Sequence, residues 1–374
     1  MEFGTGTSFL RREPVGVVGG IAPWNFPWMM MVWKVIGPLV TGNTVVFKPA
    51  SITPVTALEF ARIIEAAGVP PGVVNVVTGP GSSVGTELSS NPKVDMITIT
   101  GSVPSGRTVM QDCSSTVKKP HLELGGKAPL IVFDDANIDA AVDGAVNGGY
   151  INCGQICIQV TRVIVQDKIY DKFVDKFVAK TRKIVVGPGE KWETDMGPLV
   201  SENQRKISED YIKIGKDEGA RLVLGGKRPK GSEYGNGFFL EPTVFADVDQ
   251  DMTIAKEEIF GPVVVIQRFS TMQEAIEMSN NVIYGLWSSV WTKDIYKAFK
   301  VANALDFGSV MINEQIGMTS EMPHGGFKQS GWGKALSAET LESCTRTKHV
   351  YVDLTDSVKR GWHDTVMGTA LKPK

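Results

Sequence analysis

Cysteine is scarce in this chain: four among 374 residues, at Cys113, Cys153, Cys157 and Cys344. Spaced so widely they make no disulfide framework, and no secretory signal is evident. Both point to a reducing, cytoplasmic setting in which a thiol stays free. An excess of one charge is also missing. The formal net charge of −2 gives no electrostatic case for a nucleic-acid partner or an anionic membrane surface. The apolar stretch 28–40 is interrupted by Lys34 and Pro38 and is too short for a membrane span. Short-period repeats and low-complexity segments are absent, as is the G-x-G-x-x-G dinucleotide fingerprint. What remains is a chain of ordinary globular composition, 42% hydrophobic and 21% charged, of a length that suits about two domains.

Short β-branched runs alternate with helical patterns. Strands are expected at 15–18, 44–48, 73–77 and 96–100, with helices at 27–40, 55–67, 83–90 and 105–113. The alternation continues with strands at 129–133, 163–165, 221–224, 262–267 and 287–291, and helices at 138–150 and 170–183. Continuous apolar strands between helices predict an α/β fold with parallel sheets covered on both faces, a layout that binds nucleotides at the carboxyl ends of its strands. The segment 347–354 reads as a strand with no evident local partner, equally suited to an edge of its own chain or to addition onto another subunit.

Two residues carry the chemistry. Glu123 lies in Leu122-Glu123-Leu124-Gly125-Gly126-Lys127, and Cys157 in Asn152-Cys153-Gly154-Gln155-Ile156-Cys157, followed by Thr161-Arg162. A carboxylate and a thiol, each beside a glycine turn, suit a general base and a nucleophile joined by folding. A lone Cys is more often a buried small hydrophobe and a lone Glu a solvated charge, so the pair needs support from elsewhere. Pro23-Trp24-Asn25-Phe26-Pro27 sets an amide able to donate to an oxyanion just before a helix. Phe47-Lys48-Pro49-Ala50-Ser51 ends a strand with a cation, and Gly101-Ser102-Val103-Pro104-Ser105-Gly106 opens a helix with small residues suited to phosphate. Glu257-Glu258-Ile259-Phe260-Gly261-Pro262 places an acid and an aromatic before a strand.

In this order the motifs resemble those of the aldehyde dehydrogenase superfamily, over about 11–354. The resemblance implies a Rossmann-like cofactor domain over 1–125, an α/β catalytic domain over 126–327, and a return segment with a small β oligomerisation element over 328–374. It implies oxidation of a small-molecule aldehyde with NAD, or with NADP in its place, no metal, and a homodimer or homotetramer. Cys157 would be the nucleophile, Asn25 the oxyanion donor, Glu123 the base that activates water, and Lys34 a proton-relay lysine. An unperturbed thiol is only about 3% thiolate at neutral pH, so surroundings that lower the Cys157 pKa are expected. Lys48 and Glu258 would hold ribose, Phe260 would support the nicotinamide, and Gly101, Ser102 and Gly106 would face the pyrophosphate, with Trp24 and Ser51 beside the cofactor. Met30, Trp33, Ile156, Ile158, Met318 and His324 would line the substrate tunnel, although core packing explains each equally well.

The departures from the family pattern are specific. Ser51 replaces an acid that grips the adenosine ribose, which makes NADP less disfavoured. Ala335 replaces an acid held to relay protons with the lysine at position 34. Residues 320–326 resemble aminoaldehyde-oxidising members, yet Ile156 replaces the acid seen in aminobutyraldehyde enzymes. Residues 1–5 look like a cloning scar, and complete members carry about a hundred further N-terminal residues, so a shortened N-terminus is expected. Two other readings follow. Glu123 argues against acyl transfer to coenzyme A, and a truncated, silent binding or structural fragment is the alternative, to be separated by cofactor titration.

Overall fold

The computed structural model describes residues 6–354. The reading of 1–5 and the end of the 328–374 segment therefore lie outside the described residues.

Two open sheets organise the chain. The first has six strands in the order Gly331–Trp332, Lys119–Glu123, Met96–Thr100, Val17–Ile21, Thr44–Lys48 and Val74–Val76. Its five earlier strands are parallel, and Gly331–Trp332 returns antiparallel onto Glu123 and Leu122. Because parallel neighbours all end on one side, Ile21, Lys48, Thr100 and Glu123 share the sheet's carboxyl edge. The connection after Ile21 enters the helix Pro27–Val40. It starts with proline at its first turn and buries Met30, Met31, Lys34 and Val35 on one face. Lys34 is thus the one amine on an otherwise apolar stripe.

The second sheet has seven strands, with Ala128–Val132, Val160–Gln166 and Val263–Phe269 at its centre. Leu130, Ile131, Val163, Ile164, Val264 and Val265 are fully buried, which accounts for runs without polar alternation. Helices Ile138–Tyr150 and Tyr170–Thr181 cover one face and meet the larger hydrophobic core.

The strand at the C-terminal end has a partner after all. Thr345–Asp353 pairs antiparallel with Gly6–Pro14 over their whole length, an exposed two-stranded ribbon. The first of these strands has no apolar alternation, because neither face of the ribbon is buried, and hydrophobic patterning cannot reveal it. Lys119–Glu123 is a second unforeseen strand, masked by Lys119, Pro120 and His121. Among the described residues no helix is long and apolar enough to cross a membrane.

Candidate active site

The carboxyl edge of the first sheet and the loop before strand Val160–Gln166 enclose a cavity of about 250 Å³. Cys157, Glu123 and Asn25 line it together, although 130 residues of chain separate Asn25 from the Gln155 it bonds.

Local structure explains how the nucleophile is presented. After helix Ile138–Tyr150 the chain makes a tight turn in which Asn152, Cys153 and Gly154 all have positive φ, at 50°, 59° and 70°. Asn152 stabilises it by donating to the Asn25 carbonyl at 3.1 Å and to the Gln155 carbonyl at 3.3 Å. Gln159 donates to the carbonyls of Gly149 and Gly261 at 2.9 and 2.8 Å. Cys153 is buried, with its thiol donating to the Gly197 carbonyl at 3.0 Å, so it serves the turn. Cys157 stays half-buried at the cavity.

The glycine pair after Glu123 closes the gap between the two motifs. A Cβ on Gly125 would collide with the Glu258 carboxylate, and one on Gly126 would sit 2.5 Å from the Cys157 carbonyl oxygen. Glu258 in turn accepts the Gly126 N–H at 3.0 Å. Fully buried Arg162 donates to the Lys127 carbonyl at 3.1 Å and to the carbonyls of Met278 and Ser279 at 2.8 and 2.9 Å, pinning the end of this turn.

Burial sets the electrostatics. Glu123 is 3% exposed, and desolvation raises its pKa to about 7 against the opposing pull of His324, Lys34 and Lys334. His324 Nε2 lies 3.6 Å from Glu123 Oε2, and His121 Nε2 lies 3.7 Å from Oε1. Burial likewise lowers Lys34 to about 7. The Cys157 thiol contradicts the expectation of a lowered pKa. Burial, then the charges of Glu123 and Glu258, push it up to about 12, and the N–H groups of Cys157 and Ile158 only partly offset them. The glycine turns bring the Glu123 and Glu258 carboxylates to bear on the thiol.

Asn25 Nδ2 donates to the Gln155 carbonyl at 3.0 Å, which leaves its second N–H for the cavity. The anticipated substrate residues Met30, Trp33, Ile156, Ile158, Met318 and His324 all line the cavity. His324 stands between the rings of Trp33 and Trp287, at 5.3 and 5.9 Å. Of the anticipated cofactor residues, Trp24, Gly101, Ser102, Glu258 and Phe260 do so as well. Phe260 has φ of 56° and packs edge-on against Trp24 at 5.4 Å.

Four anticipated residues are not among those that line the cavity. Lys48 is buried and donates to the Pro49 carbonyl at 2.8 Å, and Ser51 donates to the Gly79 carbonyl at 2.9 Å. Gly106 faces Leu124, where a Cβ would come within 2.5 Å of the side chain; its role is close packing of helix Val103–Ser114 on the Glu123 motif. Lys34 meets Thr98 at 3.3 Å. The wall also holds residues that no motif flagged. Gln204, on helix Glu202–Asp217, donates to the carbonyls of Ile259 and Phe260 at 3.2 and 2.9 Å and so secures the Phe260 turn. Met29 belongs to the wall too, and its place beside Met30 was the available signal.

A dinucleotide fits these groups. Lys48 has one acceptor for three protons, and Thr100 Oγ1 is buried without a partner beside Gly101 and Ser102. Ser102 caps helix Val103–Ser114, while Pro104 removes one first-turn donor, which leaves hydroxyls and the remaining N–H groups for an anion.

Comparison with known proteins agrees with this geometry. The model of the Aldehyde dehydrogenase family matches residues 3–350. The betaine aldehyde dehydrogenase of Bacillus subtilis (strain 168) is 47% identical over 344 residues, covering 92% of this chain and 70% of that protein. The crystal structure of betaine aldehyde dehydrogenase from Staphylococcus aureus in complex with NAD+ superposes with a TM-score of 0.92 at 42% identity, covering 94% of this chain and 70% of that one. The structure of a point mutant of an aldehyde dehydrogenase from Bacillus cereus gives 0.91 at 43% identity, with 94% and 70% covered.

Proposed function

The chain belongs to the aldehyde dehydrogenase family, and from that premise we propose that it oxidises a small aldehyde to the carboxylic acid with NAD+ through a cysteine-bound thioester. The observation that carries this reading is the single cavity shared by Cys157, Glu123 and Asn25.

A thiol pushed up to about 12 needs a base, and of the two carboxylates that raise it, Glu123, itself raised to about 7, is the one assigned that role here. Glu123 takes the Cys157 proton as sulfur attacks the aldehyde carbon. The free N–H of Asn25 and the Cys157 backbone N–H hold the resulting oxyanion; loss of one such donor typically costs about a hundredfold or more. When bound, the nicotinamide accepts the hydride. Lys48, Glu258, Ser102 and the Trp24–Phe260 pair hold the cofactor. Glu123 then takes a proton from water, whose oxygen attacks the thioester, and the acid leaves as Cys157 is freed.

The apolar, tryptophan-rich wall around His324 suits a compact aldehyde, including one with a cationic tail, since indole faces attract cations. Residues 1–125 form the cofactor unit in this reading, 126–327 the catalytic unit, and the 328–374 segment with its exposed ribbon serves assembly of a cytoplasmic dimer or tetramer. Ser51 leaves NADP admissible as second cofactor. The silent-fragment alternative is not favoured, because nucleophile, base and oxyanion donor all face one cavity.

The test is an end-point assay with a panel of aldehydes, betaine aldehyde and 4-aminobutyraldehyde among them, with NAD and NADP supplied separately. Equimolar acid and reduced cofactor are expected. Reduced cofactor without acid would refute the hydrolytic reading, and so would full activity of Cys157→Ala.

A further inference from the structure

Among the residues that line the cavity, His324 has a polar ring with no task in the reaction described above. It is 4% exposed, and its Nδ1 is buried without a hydrogen-bond partner. Its Nε2 lies 3.6 Å from Glu123 Oε2. A neutral imidazole has one proton to place between two nitrogens, and here only one of them faces an acceptor. The proton therefore belongs on Nε2, toward the carboxylate. Closing the gap by about 0.4 Å brings the pair within ordinary N–H···O range.

Both the backbone and the neighbouring rings hold His324 in place. Its N–H donates to the Ala335 carbonyl at 2.8 Å, and the Ala335 N–H donates to its carbonyl at 2.7 Å. The ring stands between Trp33 and Trp287, and the Trp287 indole N–H is itself tied to the Gln315 carbonyl at 2.8 Å. Gly325, the next residue, is so near the base that a Cβ on it would stand 2.9 Å from Glu123 Oε1. The segment that carries His324 is thus packed directly onto Glu123.

The other groups near Glu123 are differently engaged. They are His121 from its own strand, Lys34 from helix Pro27–Val40, Lys334 from beyond strand Gly331–Trp332, the Ala335 N–H, and Cys157 from the nucleophile turn. Lys34 Nζ donates to Thr98 at 3.3 Å, and Lys334 Nζ to the Gly325 carbonyl at 2.8 Å. His121 Nε2 faces the other carboxylate oxygen, Oε1, at 3.7 Å. Of the groups that can donate to Glu123, His324 is the one that also lines the cavity. Burial lowers its own pKa against the pull of Glu123, so at neutral pH the ring serves as an uncharged N–H donor.

We propose that His324 is a positioning residue for the base: its Nε2–H holds Glu123 Oε2 at the cavity and stabilises the carboxylate that both proton-accepting steps require. The inference rests on Glu123 acting as the base. It adds that a ring in the substrate wall governs how readily that base ionises. A hydrogen bond to the charged form favours it. Without the donor, Glu123 keeps its proton to higher pH, and less of it is able to accept from Cys157 or from water. A hydrocarbon ring in the same seat would pack between the two indoles but offer no N–H.

The experiment is the pH dependence of kcat, with KM for a turned-over aldehyde, in the intact enzyme with NAD. The variants are His324→Phe, which fills the seat without a donor, and His324→Gln, whose side-chain amide keeps one. In His324→Phe the acid limb of the kcat profile is expected to move up by about one pH unit or more, with turnover on that limb falling about tenfold. His324→Gln is expected to bring the limb most of the way back. An unmoved limb in His324→Phe, with KM alone changed, would overturn the proposal and leave His324 as a wall residue only. So would equal displacement in His324→Phe and His324→Gln, the mark of an altered shape. If His324→Phe does not fold, His324→Leu takes its place with the same expectations. Glu123→Gln separates the two readings. Full turnover with an intact limb there refutes Glu123 as the base, and the positioning role with it. Loss of the limb there, beside an unmoved limb in His324→Phe, refutes the positioning role alone.

Discussion

Gly126 lies directly against the carbonyl oxygen of Cys157, so close that a methyl group on it would stand 2.5 Å away. The base motif and the nucleophile loop are thus fitted to each other at the backbone. Gly126→Ala must push them apart, with Leu286 Cβ also 3.3 Å from the added carbon. We expect a loss of about 1–3 kcal/mol of stability, read as a lowered Tm, with turnover falling further than Tm alone explains. An unchanged Tm and turnover would show that the loop yields freely.

The raised thiol predicts slow chemistry in the enzyme without cofactor. Because Cys157 is pushed up to about 12, its alkylation by iodoacetamide at pH 7 should be slower than that of a free cysteine, and it should keep rising beyond pH 9. A plateau reached below pH 8 would contradict the electrostatics described above.

Glu123 also links stability to pH. Its folded pKa of about 7 lies above the ordinary 4.5, so the folded chain holds this proton more tightly than the unfolded chain does. The stabilisation is fully present below pH 4.5 and is lost as pH rises through about 7. Glu123→Gln has no such proton to lose. Its Tm relative to wild type should therefore be higher at pH 8 than at pH 4.5, and a pH-independent difference would count against the burial of the charge.

Ser51 bears on cofactor choice. Its hydroxyl is spent on the Gly79 carbonyl at 2.9 Å and places no negative charge at the end of strand Thr44–Lys48. An acid there would repel a 2′-phosphate and accept from a ribose hydroxyl. Ser51→Glu should lower kcat/KM for NADP by about tenfold or more while sparing NAD, since one charge at close range is worth on the order of 1–2 kcal/mol near a surface. Equal effects on both cofactors would place Ser51 away from the ribose.

Much of this was legible in the chain itself, for definite reasons. Helix Pro27–Val40 announces itself through proline at its start and a periodic apolar stripe, and strand Met96–Thr100 through five residues with no polar break beyond threonine. The residues of the Glu123 and Cys157 motifs converge because each motif ends a strand or fills a turn at one sheet edge. Other features leave no local trace. Strand Gly6–Pro14 is exposed on both faces, and Gln204 reaches the cavity from a helix with no motif. The sign of the Cys157 shift depends on which charges folding brings near.

The division of labour between Cys157 and Glu123 is tested most directly by transient kinetics of Glu123→Gln with NAD and a turned-over aldehyde. A burst of reduced nicotinamide approaching one per site, slowed in its own rate by loss of the thiol's base, followed by steady-state turnover reduced by about a hundredfold or more, is the predicted result. Full steady-state turnover in the glutamine variant would contradict it.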